Sequence, residues 1–544
     1  MPDNNEFDAV VIGSGAAGGW AAKELTEGGM RVLLLEAGRK VDPVGDFPQP
    51  DKAGHQLVVG NPIVTRAQAA ILGGRPIQAR CIAFTKLTNN FFVNDRENPY
   101  TTPSRKPFNW FRGRQVGGRL HTWGRIVFRM SDDDFKAASR DGHGADWPIS
   151  YGDLSPYYDR VETFLGVNGT MEGLPGLPDG RYVKPTTLNV PEQKFQDEVQ
   201  RAFPGAHVIP TRYVANNRSR IPLTILAAQE TLRLTLRSDA VVEGIDVDEA
   251  TGRATSVRFI DRHTKRKEKA RARVVVLCAS TIESLRIMLN SRSHRHPQGL
   301  GNSSGQLGHN FMDHVHIALT GPHEDVEAGG SGETDAFDFG KIGGFYVPQY
   351  QNPNPPRGPY LRGFAIQGGI GRGYPFWHLT AQGEMLPRFE NKITLDPHKK
   401  DAWGIPAARI DLTYSENENK MIADALATMK AMASTAGLQV RATPAGRLLH
   451  NLVFKMMRKR LVMDSGASIP GTAVHEVGGA PMGDDPGKSV LNRFNQCWDA
   501  DNVFVTDGAS FVSSPAQNST LTIMALTVRA CEHILKENSA GSWR

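Results

Sequence analysis

Phe7-Asp8-Ala9-Val10-Val11-Ile12 runs directly into Gly13-Ser14-Gly15-Ala16-Ala17-Gly18. An apolar, β-branched run that ends in a glycine turn reads as a buried strand of a parallel sheet. Beyond it, Ala17, Trp20, Ala21 and Leu25 recur at helical spacing, which predicts a helix over residues 16–27 that stops at Gly28-Gly29. Arg31–Leu35 is a second strand, closed by Glu36. GxGxxG alone is a weak signal, but here a strand precedes it and a helix follows. Gly13 permits the tight turn, Gly15 lets the backbone approach a pyrophosphate, and Gly18 lets helix and strand pack closely. Ala16 and Ala17 lie in the first helical turn, whose free N–H groups and dipole favour a phosphate. Glu36 suits a ribose diol and would repel a 2′-phosphate, which disfavours NADP. The motif does not separate FAD from NAD. A second candidate nucleotide segment near the far end of the 544-residue chain favours FAD, gripped at its two ends by distant parts of the chain.

The bulk composition agrees with an ordinary globular protein. Hydrophobic residues make up 40% and charged residues 22%, and the length calls for two structural domains. The net charge of +6 comes from scattered Lys and Arg. The densest basic stretch, Arg262 to Lys267 with Lys269, Arg271 and Arg273, reads as a solvated hairpin, so nucleic-acid binding is not expected. Cys81, Cys278, Cys497 and Cys531 lie far apart in sequence, so they do not form an iron–sulfur motif. No apolar run is long enough for a membrane span. Met1–Phe7 is polar and carries no signal-peptide pattern, so a cytoplasmic location is expected, with periplasmic co-export alongside a signal-bearing partner as the alternative.

Further along, Ser150–Leu165 reads as a helix capped by Asp153 or Ser155, and Gln193–Phe203 as an amphipathic helix. Val241–Val247 and Ala254–Ile260 form a predicted hairpin, and Arg273–Leu277 a buried strand leading into a helix over residues 280–289. Strand patterns at Lys341–Val347, Lys392–Leu395 and Arg409–Thr413 surround a long helix, Asn417–Ala436. This mixture predicts an antiparallel sheet with covering helices. Asn502–Val505 and Asn518–Leu535 close the chain as strand, loop and helix.

Four segments in this order resemble the glucose–methanol–choline (GMC) oxidoreductases. They are Gly13–Gly18 with Glu36-Ala37-Gly38; Gly113 to Gly118; His475 to Gly483; and Val505-Thr-Asp507-Gly508 followed by Asn518-Ser519-Thr520-Leu521-Thr522. The resemblance spans nearly the whole chain. It implies an α/β (α+β overall) fold in which a discontinuous, Rossmann-like FAD-binding domain joins a substrate domain built on an antiparallel sheet. The expected boundaries are 1–50, 105–140, 205–318 and 465–544 for the first, and 51–104, 141–204 and 319–464 for the second. Around the dinucleotide the resemblance places Ala37, Arg39, Val242 and Ala279. Gly117, Gly118, His121, Thr122, Trp123 and Gly124 are expected along the flavin, and Asp507 and Gly508 at the ribityl chain or pyrophosphate. Gly19–Leu25 and Gly117–Arg125 look closest to bacterial glucoside 3-dehydrogenases and to pyranose and C-glycoside 3-oxidases. Thr122, not His121, stands where some relatives carry a flavin-linked His. FAD is therefore expected to be noncovalent, with His121 packing or hydrogen-bonding.

Oxidising an alcohol requires a base for the hydroxyl proton and an acceptor for the hydride. A neutral His suits the first task. By the resemblance, His475 is the base, and Asn518 holds the family's second position, where an amide can hold the substrate oxygen. Asn518 also reads as an N-cap for the last helix. The N–H groups at Ser519 and Thr520 would face the reduced flavin. Glu384 is a candidate for a sugar hydroxyl or for orienting Asn518. Trp403 and Tyr414 read first as core residues. His309, His314 and His316 lack a completing ligand, and Leu307–His314 resembles a family loop near the flavin, so no metal is expected. The expected substrate is a sugar or glycoside, oxidised at a secondary hydroxyl such as C3. The electron acceptor is expected to be O2, or a quinone or cytochrome reached through a small partner subunit. The alternatives are a non-sugar alcohol, a flavin-containing lyase and a non-catalytic FAD-binding subunit.

Overall fold

The computed structural model describes residues 6–47, 62–215, 220–323, 344–350, 358–372, 376–439 and 462–542. In chain order the strands used below are β1 (Glu6–Ile12), β2 (Val32–Leu35), β3 (Ile209–Pro210), β4 (Leu234–Arg237), β5 (Ala240–Val247), β6 (Ala254–Asp261), β7 (Lys267–Leu277), β8 (Val315–Pro322), β9 (Phe345–Val347), β10 (Phe364–Ile370), β11 (Phe376–Gly383) and β12 (Val503–Val505). The helices are α1 (Ala16–Glu27), α2 (Tyr151–Leu165), α3 (Val190–Ala202), α4 (Thr281–Asn290), α5 (Glu416–Thr435) and α6 (Thr520–Ala540).

One sheet runs β4-β2-β1-β7-β6-β5, and β12 also pairs with β7. The core pairing is parallel, with Ala9 opposite Val32 and Val274, and Ile12 opposite Leu35 and Leu277. Ala9, Val10, Val11 and Ile12 are at most 2% exposed, as a strand covered on both faces requires. Each such Val or Ile contributes about 1.5–3 kcal/mol of burial. β7 changes partner along its length. Residues 267–271 pair antiparallel with β6, whereas Val275, Val276 and Leu277 pair in parallel with Val503, Phe504 and Val505. The sequence pattern shows only the buried part of this strand. In its first half, exposed Lys and Arg alternate with inward residues, which makes it an extended hairpin arm. α1 packs against α6, bringing the two distant ends of the chain side by side.

The second sheet has the order β8-β11-β10-β9-β3 and is antiparallel throughout, but the predicted strands at 392–395 and 409–413 lie outside it, within Lys392–Lys400 and Pro406–Asp411, which pair with each other in a separate two-stranded sheet. α5 lies across β8 and β11. Of the predicted strand Lys341–Val347, residues 344–347 fall within the described residues, and the last three of them form β9. Two contacts join segments expected in different domains. β3, inside the segment 205–318, is an outer strand of this antiparallel sheet. α2 packs along α6, where the Tyr158 and Thr522 hydroxyls meet at 2.7 Å.

Helix starts follow side-chain chemistry. The cap of α2 is Ser150, which accepts from the Asp153 N–H while the Asp153 carboxylate accepts from the Ser150 N–H. This corrects the expectation of a cap at Asp153 or Ser155, because in a capping box the acid stands three residues inside the helix. α3 and α5 carry the same device, at Asn189 with Glu192 and at Ser415 with Glu418. α1 and α6 begin at Gly15 and Ser519 with no side-chain cap and no acid in the first turn.

Candidate active site

The Gly13–Gly18 turn lies at the end of β1, where the structure gives each glycine a distinct role. Gly13 has φ +95°, and a Cβ there would meet the Cys278 carbonyl at 2.5 Å and Ala279 Cα at 2.9 Å. A Cβ on Gly18 would lie 1.7 Å from the Gly13 carbonyl oxygen. A Cβ on Gly15 would meet nothing within 4 Å, so open space lies beside the uncapped start of α1. Ala279, two residues beyond the end of β7, abuts this turn.

Glu36 is buried at the end of β2. Its Oε2 accepts from the Ser14 N–H at 3.1 Å and the Ser14 hydroxyl at 2.5 Å, and its Oε1 accepts from the Gly38 N–H at 2.8 Å. Burial raises its pKa, while these hydrogen bonds and Arg114 oppose the rise. Ser14 Oγ also accepts from the Gly117 N–H at 3.0 Å, which ties the second glycine loop to the first. Gly118 comes against Gly15. The Arg39 guanidinium is held by both carboxylate oxygens of Asp46 at 2.6 and 2.7 Å. Only its backbone faces the glycine loop, accepting from the Val116 N–H. Ala37 packs on Val241, Ile260 and Trp403, so Trp403 is a core residue beneath the cradle. Val242 is buried in β5, opposite Phe259.

Residues 118–122 form a short 3-10 turn. The His121 imidazole hydrogen-bonds the Val116 carbonyl at 2.7 Å and stacks on Phe91 with ring centroids 5.1 Å apart. Thr122 Oγ donates to the Arg119 carbonyl at 3.3 Å. Trp123 packs against the core, and Gly124 is exposed. At the C-terminal side, Asp507 accepts from the Ser284 hydroxyl at 2.5 Å and the Ala509 N–H at 3.0 Å, and burial pushes it up to about 6. Gly508 lies against Thr281, at the start of α4.

Sequence reading missed a bridge between these parts. Arg119, in the glycine loop, donates to Glu476 Oε2 at 2.8 Å and to the Ser280 hydroxyl at 3.0 Å. The other oxygen, Glu476 Oε1, is buried without a hydrogen-bond partner. An adenine dinucleotide rich in hydroxyls and phosphates fits these features. It would meet open space at Gly15, two uncapped helix starts, a remaining lone pair on Glu36 and a spare acceptor at Glu476.

His475 and Asn518 come together although far apart in sequence. Asn518 Nδ2 is 3.3 Å from His475 Nε2, and Asn518 Oδ1 accepts from Gln367 Nε2 at 2.6 Å. Ser519, not Asn518, occupies the cap position of α6, so the Asn518 side chain is turned to the His and not to the helix. His475 follows Val474, a β-branched residue held at φ +62°, a strained conformation of the kind that marks a fixed side chain. The His475 N–H donates to Asp313 at 3.2 Å, and the other oxygen of Asp313 accepts from the Gly471 N–H at 2.6 Å. Burial and the proximity of His314, His316 and Arg119 hold the His475 imidazole well below its ordinary pKa, hence neutral at pH 7. Nothing in the sequence pattern singled out Gln367, which lies on β10 and reaches Asn518 only through the fold.

Glu384 is neither solvated nor bonded to Asn518. It is buried, and its Oε1 accepts from Arg362 at 2.5 Å in a network that also holds Asp141. Gln367 takes the orienting place that Glu384 was expected to fill. Tyr414 is buried, with its hydroxyl 3.5 Å from the His314 carbonyl. His309 stacks on Phe389, and His316 meets the Ser468 hydroxyl at 2.8 Å. Among the described residues no cluster of His, Cys, Asp and Glu could hold a metal, and no helix is long and apolar enough to cross a membrane.

With this geometry in place, two models of the family described as GMC oxidoreductase match the chain, one at residues 7–316 and one at residues 387–527. The chain is 28% identical to 2-methyl-1,2-propanediol dehydrogenase of Mycolicibacterium austroafricanum, over 98% of this chain and 96% of that protein. It is 26% identical to the fructose dehydrogenase large subunit of Gluconobacter japonicus, over 98% of each. Among solved structures it resembles pyridoxine 4-oxidase from Mesorbium loti, with a TM-score of 0.62 at 16% identity, covering 97% of this chain and 98% of that one.

Proposed function

Because the chain belongs to the GMC oxidoreductase family and is an FAD-dependent oxidoreductase acting on CH–OH groups, we propose that it oxidises a secondary hydroxyl of a sugar or glycoside to a ketone, with His475 as the base. The observation that carries the chemistry is the placement of His475 Nε2 and Asn518 Nδ2 3.3 Å apart, where both can meet one substrate oxygen. The neutral imidazole takes the hydroxyl proton while the amide donates to the same oxygen and holds it in place. Bound FAD supplies the hydride acceptor, flavin N5. The start of α6, uncapped at Ser519 and Thr520, offers N–H groups to the negative charge that reduction places on the flavin.

A sugar or glycoside is supported by the likeness to the fructose dehydrogenase large subunit and by the buried amides of Gln367 and Gln382, 3.2 Å apart on the second sheet beside Asn518. Oxidation at C3 rests on the resemblance of Gly117–Arg125 to glycoside 3-oxidising relatives. The likeness to 2-methyl-1,2-propanediol dehydrogenase favours a second reading, a small non-sugar diol. Mixing the holoenzyme with pyranosides, glycosides and diols under argon tests the choice, with loss of oxidised-flavin absorbance as the readout and NMR of the product locating the carbonyl. Bleaching by diols and by no sugar or glycoside would overturn the sugar reading. Repeating the reaction in air, with a quinone or cytochrome as the competing acceptor, separates oxidase from dehydrogenase. A small partner subunit is proposed on the strength of the relative described as a large subunit.

Noncovalent FAD is part of the same proposal, since His121 is engaged by Phe91 and Val116. Glu36 is the proposed partner of the adenosine ribose. Glu36→Ala should lower FAD affinity by about tenfold or more, the size of one charge-assisted hydrogen bond. Flavin content after exhaustive dialysis measures this, and full occupancy would remove the ribose assignment.

A further inference from the structure

We infer that His314 is a positioning residue that sets the tautomer of His475, leaving Nε2 of His475 as the lone-pair nitrogen that faces the substrate. The inference rests on the reading of His475 as the base. His314 Nε2 lies 2.7 Å from the Pro515 carbonyl oxygen, and His314 Nδ1 lies 2.9 Å from Nδ1 of His475. A carbonyl can only accept, so Nε2 of His314 carries a proton. His314 is 1% exposed, and burial pushes it down to about 4, so the ring is neutral and its Nδ1 holds a lone pair. His475 must then donate from Nδ1, and its Nε2 is left as the acceptor.

The rest of the array agrees with that direction. Asn518 points its NH2 at His475 Nε2, and its carbonyl oxygen accepts from Gln367. Donation therefore runs one way, from Gln367 through Asn518, His475 and His314 to Pro515. The opposite tautomer of His475 would set two N–H groups against each other at Asn518 and two lone pairs against each other at His314. Among the described residues, no carboxylate bonds a ring nitrogen of His475 or His314. Asp313 is bound to backbone N–H groups, Glu476 to Arg119, and His316 to Ser468. The Tyr414 hydroxyl lies 3.5 Å from the His314 carbonyl. A neutral orienter fixes the ring as a triad carboxylate does, but adds no negative charge to stabilise the imidazolium. His475 thus stays a weak base that gives its proton up readily.

Nitrogen-15 NMR of the holoenzyme labelled at histidine tests this directly, with His475 and His314 assigned by their Gln variants. The expected spectrum has His475 protonated at Nδ1 and bare at Nε2. His314→Phe should scramble that tautomer and slow anaerobic flavin reduction by a pyranoside about tenfold to a hundredfold, with flavin content and substrate affinity kept. His314→Gln, which can accept from His475 through its oxygen and donate to Pro515 through its nitrogen, should restore the rate to within about threefold of wild type. A wild-type spectrum with the proton on Nε2, or wild-type reduction in His314→Phe, would overturn the inference. If His475→Ala reduces its flavin normally, the base assignment fails, and the NMR tautomer still decides the part played by His314.

Discussion

His475→Ala should reduce its flavin at least ~100-fold more slowly than wild type under argon while retaining FAD, as expected when a general base worth 10²–10⁴ is removed. The distinction from mere loss of structure is built into the site. His475 hangs on Asp313 by its backbone N–H, a bond that an alanine keeps. The FAD cradle is made by other residues, so the visible spectrum of bound flavin should survive. The pH dependence has a definite sign. A base works when deprotonated, and the His475 imidazole is held well below its ordinary value by burial and by His314, His316 and Arg119. The reduction rate should therefore stay level as pH falls through ~6.5, where a free imidazole would half-protonate, and decline only at lower pH. Reduction that halves near the ordinary value would contradict the lowered value of the His475 imidazole. A rapid-mixing series across pH measures both outcomes.

The second large effect belongs to Gly18. Ala is favoured over Gly within a helix by about 1 kcal/mol. Against that, a Cβ at this position would lie 1.7 Å from the Gly13 carbonyl oxygen, and both atoms belong to backbone that cannot swing away. The clash wins. Gly18→Ala should cost about 3 kcal/mol or more, because α1 must lift from β1, and should leave the purified protein nearly without flavin. Gly15→Ala is the matched control. Its Cβ meets no protein atom within 4 Å, so chemical denaturation should show unchanged stability. The added methyl instead fills the space assigned to the pyrophosphate, and FAD affinity should fall. Equal denaturation curves for Gly18→Ala and wild type would contradict the close approach of helix and strand.

The reach of sequence reading here follows the range of the interactions. Local patterns carried far. β1, α1 and the glycine turn were legible because a buried strand, a helical period and a chain reversal each leave a signature within a few residues. The hairpin of β5 and β6 was legible for the same reason. Capping was harder, since Ser150 and Asp153 share the work and composition alone does not say which of them stands at the cap. The first half of β7 was obscured because its outward Lys and Arg look like a loop. His475 and Asn518 were found through motif resemblance, and the structure brings them to 3.3 Å. Gln367, Arg119 and Glu476 left no local trace, because each acts on a partner that only the tertiary fold supplies. Glu384 was given a task that depended on where an arginine lay, and Arg362 claims it. His314 was weighed as a metal ligand and, by resemblance, as part of a loop near the flavin, but not as a partner of His475. That it bonds another histidine depends on Pro515 and on the approach of residues 312–314 to residues 475–477.

The double partnership of β7 bears on how such a chain is made. Val275, Val276 and Leu277 find their second neighbour only in Val503–Val505. A ribosome emitting this protein therefore releases the greater part of it before that edge can be covered. Until then, a dry, β-branched ribbon stands open to any passing strand. The entropic toll of so wide a closure grows only logarithmically, by about 0.6 kcal/mol per doubling, so delay and not thermodynamics is the hazard. Chains cut short before the final strand should clump, and holdase chaperones should be found on the nascent polypeptide during this interval.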